Sequence, residues 1–262
     1  MNSNLQSLAV DKRDPMVTLS IASQNELLGE LLQIPDTVTI LPLELKIVHL
    51  TVNQVLYEQG DKIDHVYFPL DAVISNLAIM EDGTTIETSM IGREGLVGIS
   101  TVLGSGISRQ WVWVTASGSA IHLDAKFLDD LFVRNESALK LLLRRYRSLI
   151  TQVSQRCVCN TRHTIMERLC CWLLMVHDRV ESGNLSLTQE IIASRVGARR
   201  AGITVAAGLL QDMNAIAYRR GQLHISNREV LEQAVCECYS IMQADFKRID
   251  RRNYTAPSTF SL

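Results

Sequence analysis

The stretch from Leu187 to Asn214 constrains the fold more than any other part of the chain, because its pattern predicts two short helices joined by a glycine turn. Thr188 is placed to cap the first helix, in which isoleucine and valine recur on one side. Gly197 can adopt a positive φ at little steric cost, and residues 198–200 then begin a second helix. The pattern therefore predicts a helix-turn-helix.

The second predicted helix has an apolar stripe and a polar outer side. The stripe consists of Ile203, Ala206, Ala207 and Leu210. This spacing leaves Arg199, Arg200 and Thr204 on the outer side. An arginine in the major groove can pair with guanine O6 and N7, and Thr188 or Gln189 near a helix N-terminus can approach phosphates. We therefore predict that these five residues contact duplex DNA.

A basic turn follows the second helix. Residues 216–225 form the pattern of two short strands around Arg219, Arg220 and Gly221, which is typical of a wing. We predict that Arg219 and Arg220 contact DNA as well. The alternative is an ordinary helical hairpin with a solvated basic turn, but the ordered succession of two glycines, an arginine pair and a wing disfavours it.

The charge distribution supports a DNA-binding segment although the total charge does not. The 262-residue chain has a formal net charge of −2 at pH 7. Between Leu187 and Ile225, however, five arginines oppose only Glu190 and Asp212, which gives this segment a net charge of +3. The excess acid therefore lies elsewhere in the chain.

The segment from Ile47 to Leu123 has a different texture, with short runs of Val, Ile, Thr and Tyr between glycines. Four of these runs predict strands, at residues 66–68, 73–79, 84–88 and 110–114. Asp82-Gly83 is a strong signal for a hairpin turn. Many short strands at this close spacing favour an antiparallel jelly roll over a parallel sheet.

A long helical run begins near Asp124 and continues past Arg156. Its apolar residues are spaced 3, 4, 3 and 4, which is a heptad seam. The seam consists of Leu139, Leu142, Tyr146, Leu149 and Val153. We predict that it pairs with a second copy of the chain, and the alternative is that this helix packs on its own sensor domain. Asn160 or Thr161 is expected to cap the helix that follows.

Taken in order, these segments predict an α+β fold with three folded parts. A short helix is expected at Gln24–Leu32, and Asn227 is placed to cap a last helix. The predicted order is a flexible arm at residues 1–24, a double-stranded β-helix (jelly-roll) sensor domain at 25–131, a dimerisation helix at 132–158, a winged helix-turn-helix domain at 159–246 and a tail at 247–262.

A β-roll, a long helix and a winged helix-turn-helix, in this order, resemble the Crp/Fnr family of bacterial transcription regulators over about residues 40 to 245. The matching segments are Tyr57–Asp61, Val66–Phe68, Asp82–Gly83, Ile91–Gly98, Leu187–Ile191, Val196–Gly197, Arg200 and Leu210–Asp212. The resemblance implies a cytoplasmic homodimer that binds a palindromic operator in double-stranded DNA and acts with RNA polymerase. It also implies that a small-molecule effector in the roll alters how the two recognition helices are presented.

The effector pocket that the resemblance implies departs from the family at two positions. In members that bind cyclic AMP, a Gly-Glu pair is followed by an Arg-Ser pair; the Glu binds the ribose hydroxyl and the Arg binds the cyclic phosphate. Gly98 and Arg109 keep the family's spacing, but Ile99 replaces the Glu and Gln110 replaces the Ser. An unpaired ribose hydroxyl costs about 1–3 kcal/mol, so cyclic-AMP binding of the usual kind is expected to be lost. Arg109 either holds another anion or only covers the surface of the roll.

The recognition helix also departs from the family. The family's typical base-reading residues Arg, Glu and Arg correspond here to Arg200, Ala201 and Val205, so only Arg200 is retained. We therefore expect an operator that differs from the family's commonest half-site, read by Arg199, Arg200 and Thr204.

The six cysteines begin at Cys157, so the N-terminal cluster that would resemble the iron–sulfur members is absent. On a helix, Cys157 and Cys159 point about 200° apart, so only Cys159 and His163 share a face. We expect buried, reduced thiols, with no metal and no other cofactor. Haem ligation by His65 or His122 is disfavoured, because a histidine among strands is more often a packed or surface residue.

The pattern disfavours two other classes of protein. An enzyme would need a nucleophile with a base, a metal set or a phosphate loop, and none of these is recognised in the sequence. The longest apolar run, Leu169–Val176, is too short to cross a bilayer, so no membrane partner is expected. The remaining rival is a sensor or interaction module whose helix-turn-helix contacts protein rather than DNA.

Overall fold

The computed structural model describes residues 7–9, 15–35, 37, 45–104, 106–180 and 183–249. The strands are β1 Ser7–Ala9, β2 Lys46–Leu50, β3 Val55–Tyr57, β4 His65–Pro69, β5 Val73–Ile79, β6 Thr85–Ile91, β7 Trp111–Ala116, β8 Gly118–Asp124, β9 Asn184–Ser186, β10 Ile216–Arg219 and β11 Gln222–Ile225. The helices are α1 Pro15–Ala22, α2 Glu26–Leu32, α3 Ser100–Leu103, α4 Ala125–Arg134, α5 Glu136–Arg162, α6 Ile165–His177, α7 Gln189–Val196, α8 Arg200–Asp212, α9 Arg228–Ala234 and α10 Glu237–Ile249. This order confirms the predicted α+β fold, with a β-roll, a long helix and a winged helix-turn-helix.

Two short elements lie in the segment predicted as a flexible arm. Within the described residues, β1 pairs antiparallel with β2, and α1 begins at Pro15. A strand can add to a sheet edge through its backbone alone, and proline suits the first position of a helix because its missing N–H is not needed there. The predicted tail begins inside α10, and its part from residue 250 onward lies outside the described residues.

Two four-stranded antiparallel sheets form the β-roll, in the strand orders β1-β2-β8-β4 and β3-β7-β5-β6. They enclose one apolar core, in which Phe68, Ile74 and Ile121 are fully buried. Gly83, at φ +82°, lies in the predicted turn between β5 and β6. The four predicted strands correspond to β4, β5, β6 and β7, with small shifts at their ends, so the jelly-roll description holds approximately.

The second of these sheets also packs against the DNA-binding half of the chain. Val73, Met90 and Ala116 of the sheet belong to the same core as Trp172 of α6. At the edge strand β6, Gln152 of α5 accepts from the Met90 backbone N–H (2.7 Å) and donates to the Met90 carbonyl (3.1 Å). This side chain therefore forms the hydrogen bonds with the backbone of the edge strand that a neighbouring strand would otherwise form.

The predicted long helical run is divided in two. Asn135 adopts an extended backbone conformation between α4 and α5, and its side chain accepts from the Ala138 N–H (3.0 Å) and so caps α5. The long helix packs on its own sensor domain along one side. Leu142 is only 1% exposed and belongs to the sensor core, and Leu139 and Leu149 pack against that core. Leu142 is therefore unavailable to a second chain, which corrects the predicted seam at this position.

The cap of the next helix also differs from the prediction. Because α5 continues through Arg162, Asn160 and Thr161 lie inside it and cap nothing. Thr164 caps α6 instead, in a reciprocal capping box with Glu167. Asn227 caps α9 as predicted, but a further helix, α10, follows it. Among the described helices, none is both long and apolar enough to span a bilayer.

Candidate nucleic-acid interface

The helix-turn-helix consists of α7, a turn at Gly197 and α8. Thr188 Oγ1 accepts a hydrogen bond from the Ile191 backbone N–H (3.2 Å), which confirms the predicted cap. Gly197 has φ +68°, a conformation that a glycine adopts without strain. Arg168 Nη2 of α6 donates to the carbonyl oxygens of Val196 (2.5 Å) and Gly197 (2.7 Å). These bonds fix the turn and satisfy carbonyls that the end of α7 leaves without helical partners.

The outer side of α8 is polar at its start. Arg199, Arg200 and Thr204 are exposed there, as the spacing predicts, and Thr204 Oγ1 donates to Gln189 Oε1 on α7 (2.7 Å). Arg200 Nε lies 3.9 Å from Glu190 Oε2, and both side chains are largely exposed. An exposed ion pair of this kind is weak, so Arg200 remains available to another hydrogen-bond acceptor.

The wing is a tight hairpin held beside the start of α7. Arg220 and Gly221 have φ +51° and +75°, so they form a two-residue turn in which both residues adopt the positive φ of a type I′ turn. Arg219 and Arg220 are exposed. Leu187 donates its backbone N–H to the Gly221 carbonyl (2.8 Å), and the Tyr218 hydroxyl donates to the Leu187 carbonyl (2.9 Å). The wing arginines therefore lie next to the other residues predicted to contact DNA.

One arginine of the predicted basic segment is not part of this surface. Arg195 of α7 is 2% exposed, and its guanidinium carbon lies 5.8 Å from the centre of the Trp113 ring. Its Nε is 3.9 Å from Glu87 Oε2, and its carbonyl accepts from Arg156 Nη2 (2.5 Å). Burial lowers the pKa of the Arg195 guanidinium. The exposed basic surface therefore contains four arginines of the segment rather than five.

Glu87 of β6 is the centre of this buried ionic network, which the sequence pattern does not reveal. Ser75 Oγ donates to Glu87 Oε2 (2.5 Å), and Trp172 Nε1 donates to Oε1 (3.0 Å). Arg156 Nη1 of α5 lies 3.5 Å from the same Oε1. One carboxylate from the sensor sheet is thus contacted by the long helix, by α6 and by the first helix of the helix-turn-helix.

The later turns of α8 are apolar on the outer side. Val205, Leu209 and Met213 are 66%, 50% and 46% exposed. The spacing of four places them on one side of the helix, next to the polar start of the recognition helix. Val205 stands where the family has a base-reading arginine, and in the structure it is a prominent surface residue.

The four predicted effector-pocket residues line one cavity of about 450 Å³ in the β-roll. Gly98 has φ +100°, and a Cβ atom there would lie 2.9 Å from Val66 Cγ1, so only glycine fits. Ile99 packs partly against the sensor core. The opposite wall of the cavity comes from α5 and includes Tyr146, Leu149, Ile150 and Val153.

The polar groups of the cavity differ in how well they are paired. Gln110 Nε2 donates to Thr88 Oγ1 (2.9 Å), and Ser108 Oγ donates to the Gln110 carbonyl (2.7 Å). Arg109 is exposed and has no hydrogen-bond or ion-pair partner among the described residues. The cavity therefore presents one uncommitted cation beside an apolar wall at Ile99.

His65 and His122 lie on neighbouring strands and pack against each other. Their ring centroids are 4.4 Å apart with the planes inclined by 19°, which is a stacked arrangement. Burial, with a smaller contribution from His65, lowers the pKa of His122 to about 4, so this imidazole is neutral near pH 7. The pair fits a packing role.

The cysteines are arranged differently from the prediction. Cys157 is exposed, so the expectation of a buried thiol is wrong at this position, whereas Cys159, on a different side of the helix, is buried. However, Cys159 and His163 lie beside Cys236 and Cys238, with one ligand atom from each of the four within 4.8 Å of all the others. Hydrogen bonds, first with Cys171 and then with His163, lower the pKa of the Cys159 thiol to about 5. Sequence reasoning missed this group because its two halves are far apart in the chain; the Cys-X-Cys spacing at residues 236–238 was the available signal.

One segment of the sequence and the fold of the chain are similar to known proteins. Residues 167–234 match the model of the Crp-like helix-turn-helix domain. No curated protein sequence matches the chain at a significant level. Among solved structures, the chain is similar to FixK2 from Bradyrhizobium japonicum, with 14% identity and a TM-score of 0.60 over 73% of this chain and 98% of that one.

Two further solved structures show the same fold. TTHB099, a transcriptional regulator of the CRP family from Thermus thermophilus, is 14% identical with a TM-score of 0.60 over 71% of this chain and 95% of that one. The global regulator CLP from Xanthomonas campestris is 14% identical with a TM-score of 0.53 over 72% of this chain and 97% of that one. At these identities the similarity shows a shared fold.

A β-roll joined by a long helix to a winged helix-turn-helix with an exposed basic side defines a class of protein, the DNA-binding regulators. Residues 167–234 form a Crp-like helix-turn-helix domain, and the fold of the chain is similar to that of solved regulators of the CRP family.

Proposed function

We propose that the chain binds a palindromic operator in double-stranded DNA as a homodimer and thereby regulates transcription. The observation that carries this proposal is the exposed basic side formed by Arg199 and Arg200 on α8 and by Arg219 and Arg220 in the wing. Among the described residues, the weak contact of Arg200 with Glu190 is the only ion pair that these four arginines make. Unpaired cations at a helix start and on an adjacent wing suit a polyanion.

The residues of this surface divide into two roles. Arg200 begins the recognition helix and is the best candidate for bidentate pairing with guanine, whereas Arg219 and Arg220 in the wing contact phosphates. Thr204 and Val205 present methyl groups on the outer side of α8, and Val205 is 66% exposed. Apolar contact with the thymine methyl is the readout that such side chains provide. We therefore expect a half-site with guanine opposite Arg200 and thymine near Val205.

The proposed dimer rests on a row of apolar residues along one side of α5, of which Leu139 also packs against the sensor core. The row is Leu139, Leu143, Tyr146, Ile150, Val153 and Cys157, spaced 4, 3, 4, 3 and 4. Leu143, Ile150 and Val153 are 45%, 51% and 37% exposed. This row contains Leu143 and Ile150 where the predicted seam has Leu142 and Leu149. A heptad row pairs with a second helix of its own kind, and a two-fold dimer matches a palindromic site.

The cavity in the β-roll is the proposed effector site. Its volume of about 450 Å³ lies in the usual range for small-molecule sites. Tyr146, Ile150 and Val153 belong both to the cavity wall and to the proposed dimer row, so a ligand would contact the dimer helix directly. Arg109 favours an anionic ligand. CLP is a c-di-GMP-responsive regulator, so a protein with this fold can respond to an effector other than cyclic AMP.

Cyclic AMP itself is not expected to be the effector, because Ile99 offers no acceptor to a ribose hydroxyl. We expect cyclic AMP and cyclic GMP to bind no better than roughly millimolar, about −4 kcal/mol. Calorimetric titration checks this, and micromolar affinity would contradict it. The matched variant Ile99→Glu with Gln110→Ser should gain measurable affinity if Arg109 binds the phosphate.

Selection of genomic DNA fragments by the purified protein tests the function. We expect enrichment of a palindromic sequence whose half-sites are separated by a whole number of helical turns. The variant Arg199→Ala with Arg200→Ala should lose this enrichment, whereas the control Arg144→Ala on α5, away from the helix-turn-helix, should retain it. Equal fragment pools from all three proteins would contradict the proposal.

The apolar outer residues Val205, Leu209 and Met213 favour one rival, in which the helix-turn-helix contacts another protein. Such a module would show no specific affinity for any duplex, and replacement of Leu209 and Met213 by Ser would abolish its activity. On the proposed function, this double replacement leaves the operator preference unchanged.

A further inference from the structure

A group of metal-ligating side chains lies where the long helix meets the DNA-binding domain. Cys159 and His163 lie four residues apart at the C-terminal end of α5, and Cys236 and Cys238 flank the first residue of α10. One ligand atom from each of the four lies within 4.8 Å of the other three. Two pairs of ligands from distant parts of the chain therefore converge on one point.

Two of the separations between ligand atoms match those of a tetrahedral zinc site, and the others are at most 4.8 Å. With Zn–S about 2.3 Å and Zn–N about 2.0 Å, the ligands of a tetrahedron lie about 3.5–3.8 Å apart. Cys159 Sγ lies 3.6 Å from Cys236 Sγ, and Cys238 Sγ lies 3.4 Å from His163 Nδ1. Three thiolates and one imidazole are also a donor set that selects zinc among the common divalent ions.

The residues around the four ligands support the same assignment. Glu237 Oε2 lies 3.3 Å from His163 Nε2, so a carboxylate orients the imidazole with its other nitrogen toward Cys238. Gln155 Nε2 lies 3.2 Å from Cys238 Sγ and donates to it. Metal-ligating histidines typically donate their second nitrogen to a carboxylate in this way, and thiolate ligands accept hydrogen bonds.

Burial favours a closed, structural site. Cys159, Cys236 and Cys238 are 4%, 5% and 0% exposed, and the side chain of His163 is 13% exposed. With four protein ligands and little access for water, no coordination position is left for a substrate.

We propose that Cys159, His163, Cys236 and Cys238 bind one Zn²⁺ ion per chain. In the bound state the three cysteines are thiolates and the imidazole is neutral, so the site has a net charge of −1. The helix-turn-helix and the wing lie between the two ligand pairs in sequence. The ion therefore closes a loop of the chain that contains the helix-turn-helix and the wing. It joins the start of α10 to the C-terminal end of α5.

Elemental analysis of the full-length protein, purified under reducing conditions without chelator, tests the proposal. We expect one zinc per chain. Cys159→Ser and Cys236→Ser should each lose the zinc. Two control variants should keep it: Cys157→Ser, which alters an exposed thiol two residues away on the same helix, and Cys170→Ser, which alters a buried thiol outside the group of four. Glu237→Gln should weaken zinc affinity about 10–100-fold.

Cobalt substitution gives a second measurement that uses only the wild-type chain, so a variant that fails to fold leaves the proposal testable. Co²⁺ added to the zinc-free, reduced protein should produce thiolate-to-cobalt charge-transfer bands and the intense d–d absorption of a tetrahedral site. Wild-type protein that carries no zinc, and that binds no Co²⁺ while its six thiols titrate as free, would overturn the proposal. So would a Cys159–Cys236 disulfide in the protein as isolated, or equal zinc loss from Cys157→Ser and Cys159→Ser. None of these measurements involves DNA, so their failure would leave the proposed function standing.

Discussion

The two sides of the DNA-binding domain use arginine in opposite ways. On the side that faces the sensor, Arg195 is 2% exposed and lies in a network with Glu87 and Arg156. On the side that faces solvent, Arg199 and Arg200 are exposed, as are the two arginines of the wing. Arg199 lies only four positions after Arg195 in the chain.

This difference shows that charge alone does not identify a DNA-binding surface. A buried guanidinium has lost its hydration and is held by the carboxylate beside it, so it serves docking of one domain on another. An exposed guanidinium without a strong partner keeps its charge available for phosphate or guanine. The net charge of the segment counts buried and exposed arginines equally, and only their burial in the structure distinguishes the two kinds.

The largest effect is expected from removal of the buried carboxylate. Glu87→Gln leaves Arg156 and Arg195 buried without a counter-charge, so the free energy of unfolding should fall by about 3–5 kcal/mol. Urea unfolding measures this change. The control Glu136→Gln removes an exposed carboxylate paired with Lys140 and should produce no measurable change. A loss from Glu87→Gln below about 1 kcal/mol would show that the network does not hold the domains together.

The same contrast applies to neighbouring residues of the long helix. Leu142→Ala should lower the free energy of unfolding by about 2–5 kcal/mol, because it empties space in the sensor core. Leu143→Asp with Ile150→Asp should instead give a folded monomer, since both side chains are exposed in the single chain. Sedimentation and urea unfolding separate the two outcomes. A folded dimer after the double replacement would contradict the proposed row.

The exposed arginines should divide between base and phosphate contacts. Arg200→Ala should lose about 1–3 kcal/mol of affinity on the selected operator and relax the preference at one base pair of each half-site. Competition binding with single-base operator variants measures both effects. A loss that is the same on every sequence would assign Arg200 to phosphate instead.

A smaller and different effect is expected in the wing. Arg220→Ala should weaken binding to all duplexes alike and reduce the salt slope by about 0.9 for each lost phosphate contact, hence by about 1.8 in a dimer. Titrations at several salt concentrations check this. An unchanged slope together with altered base preference would place Arg220 in the minor groove.

Local patterns predicted the recognition unit well. The Thr188 cap, the Gly197 turn and the tight wing at residues 220–221 each depend on a few neighbouring residues, and the structure contains all three. The strands of the roll are predictable in the same way, from short runs of strand-forming residues and from the turn at Gly83. For these features, the residue types alone restrict the backbone to few conformations.

Features that depend on distant contacts could not be predicted in the same way. Leu141, Leu142 and Leu143 are three consecutive leucines, so a heptad can be drawn through either Leu142 or Leu143, and only packing against the sensor decides between them. Glu87 and Cys236 acquire their roles from partners many residues away in the chain. Nothing in the neighbourhood of Glu87 distinguishes its carboxylate from a solvated one, and the Cys-X-Cys spacing at residues 236–238 does not show that Cys159 and His163 lie beside it.

The central claim is that the exposed arginine surface binds duplex DNA, and the salt dependence of binding tests it most directly. Fluorescence anisotropy with the selected operator, between about 50 and 200 mM salt, should give a linear fall of log K with log salt concentration. Two wing arginines in each protomer predict a slope of about −3.6 or steeper. Replacement of Arg219 and Arg220 by Ala should remove most of that slope. Binding that does not depend on salt, or no binding to any duplex at the lowest salt, would contradict the account.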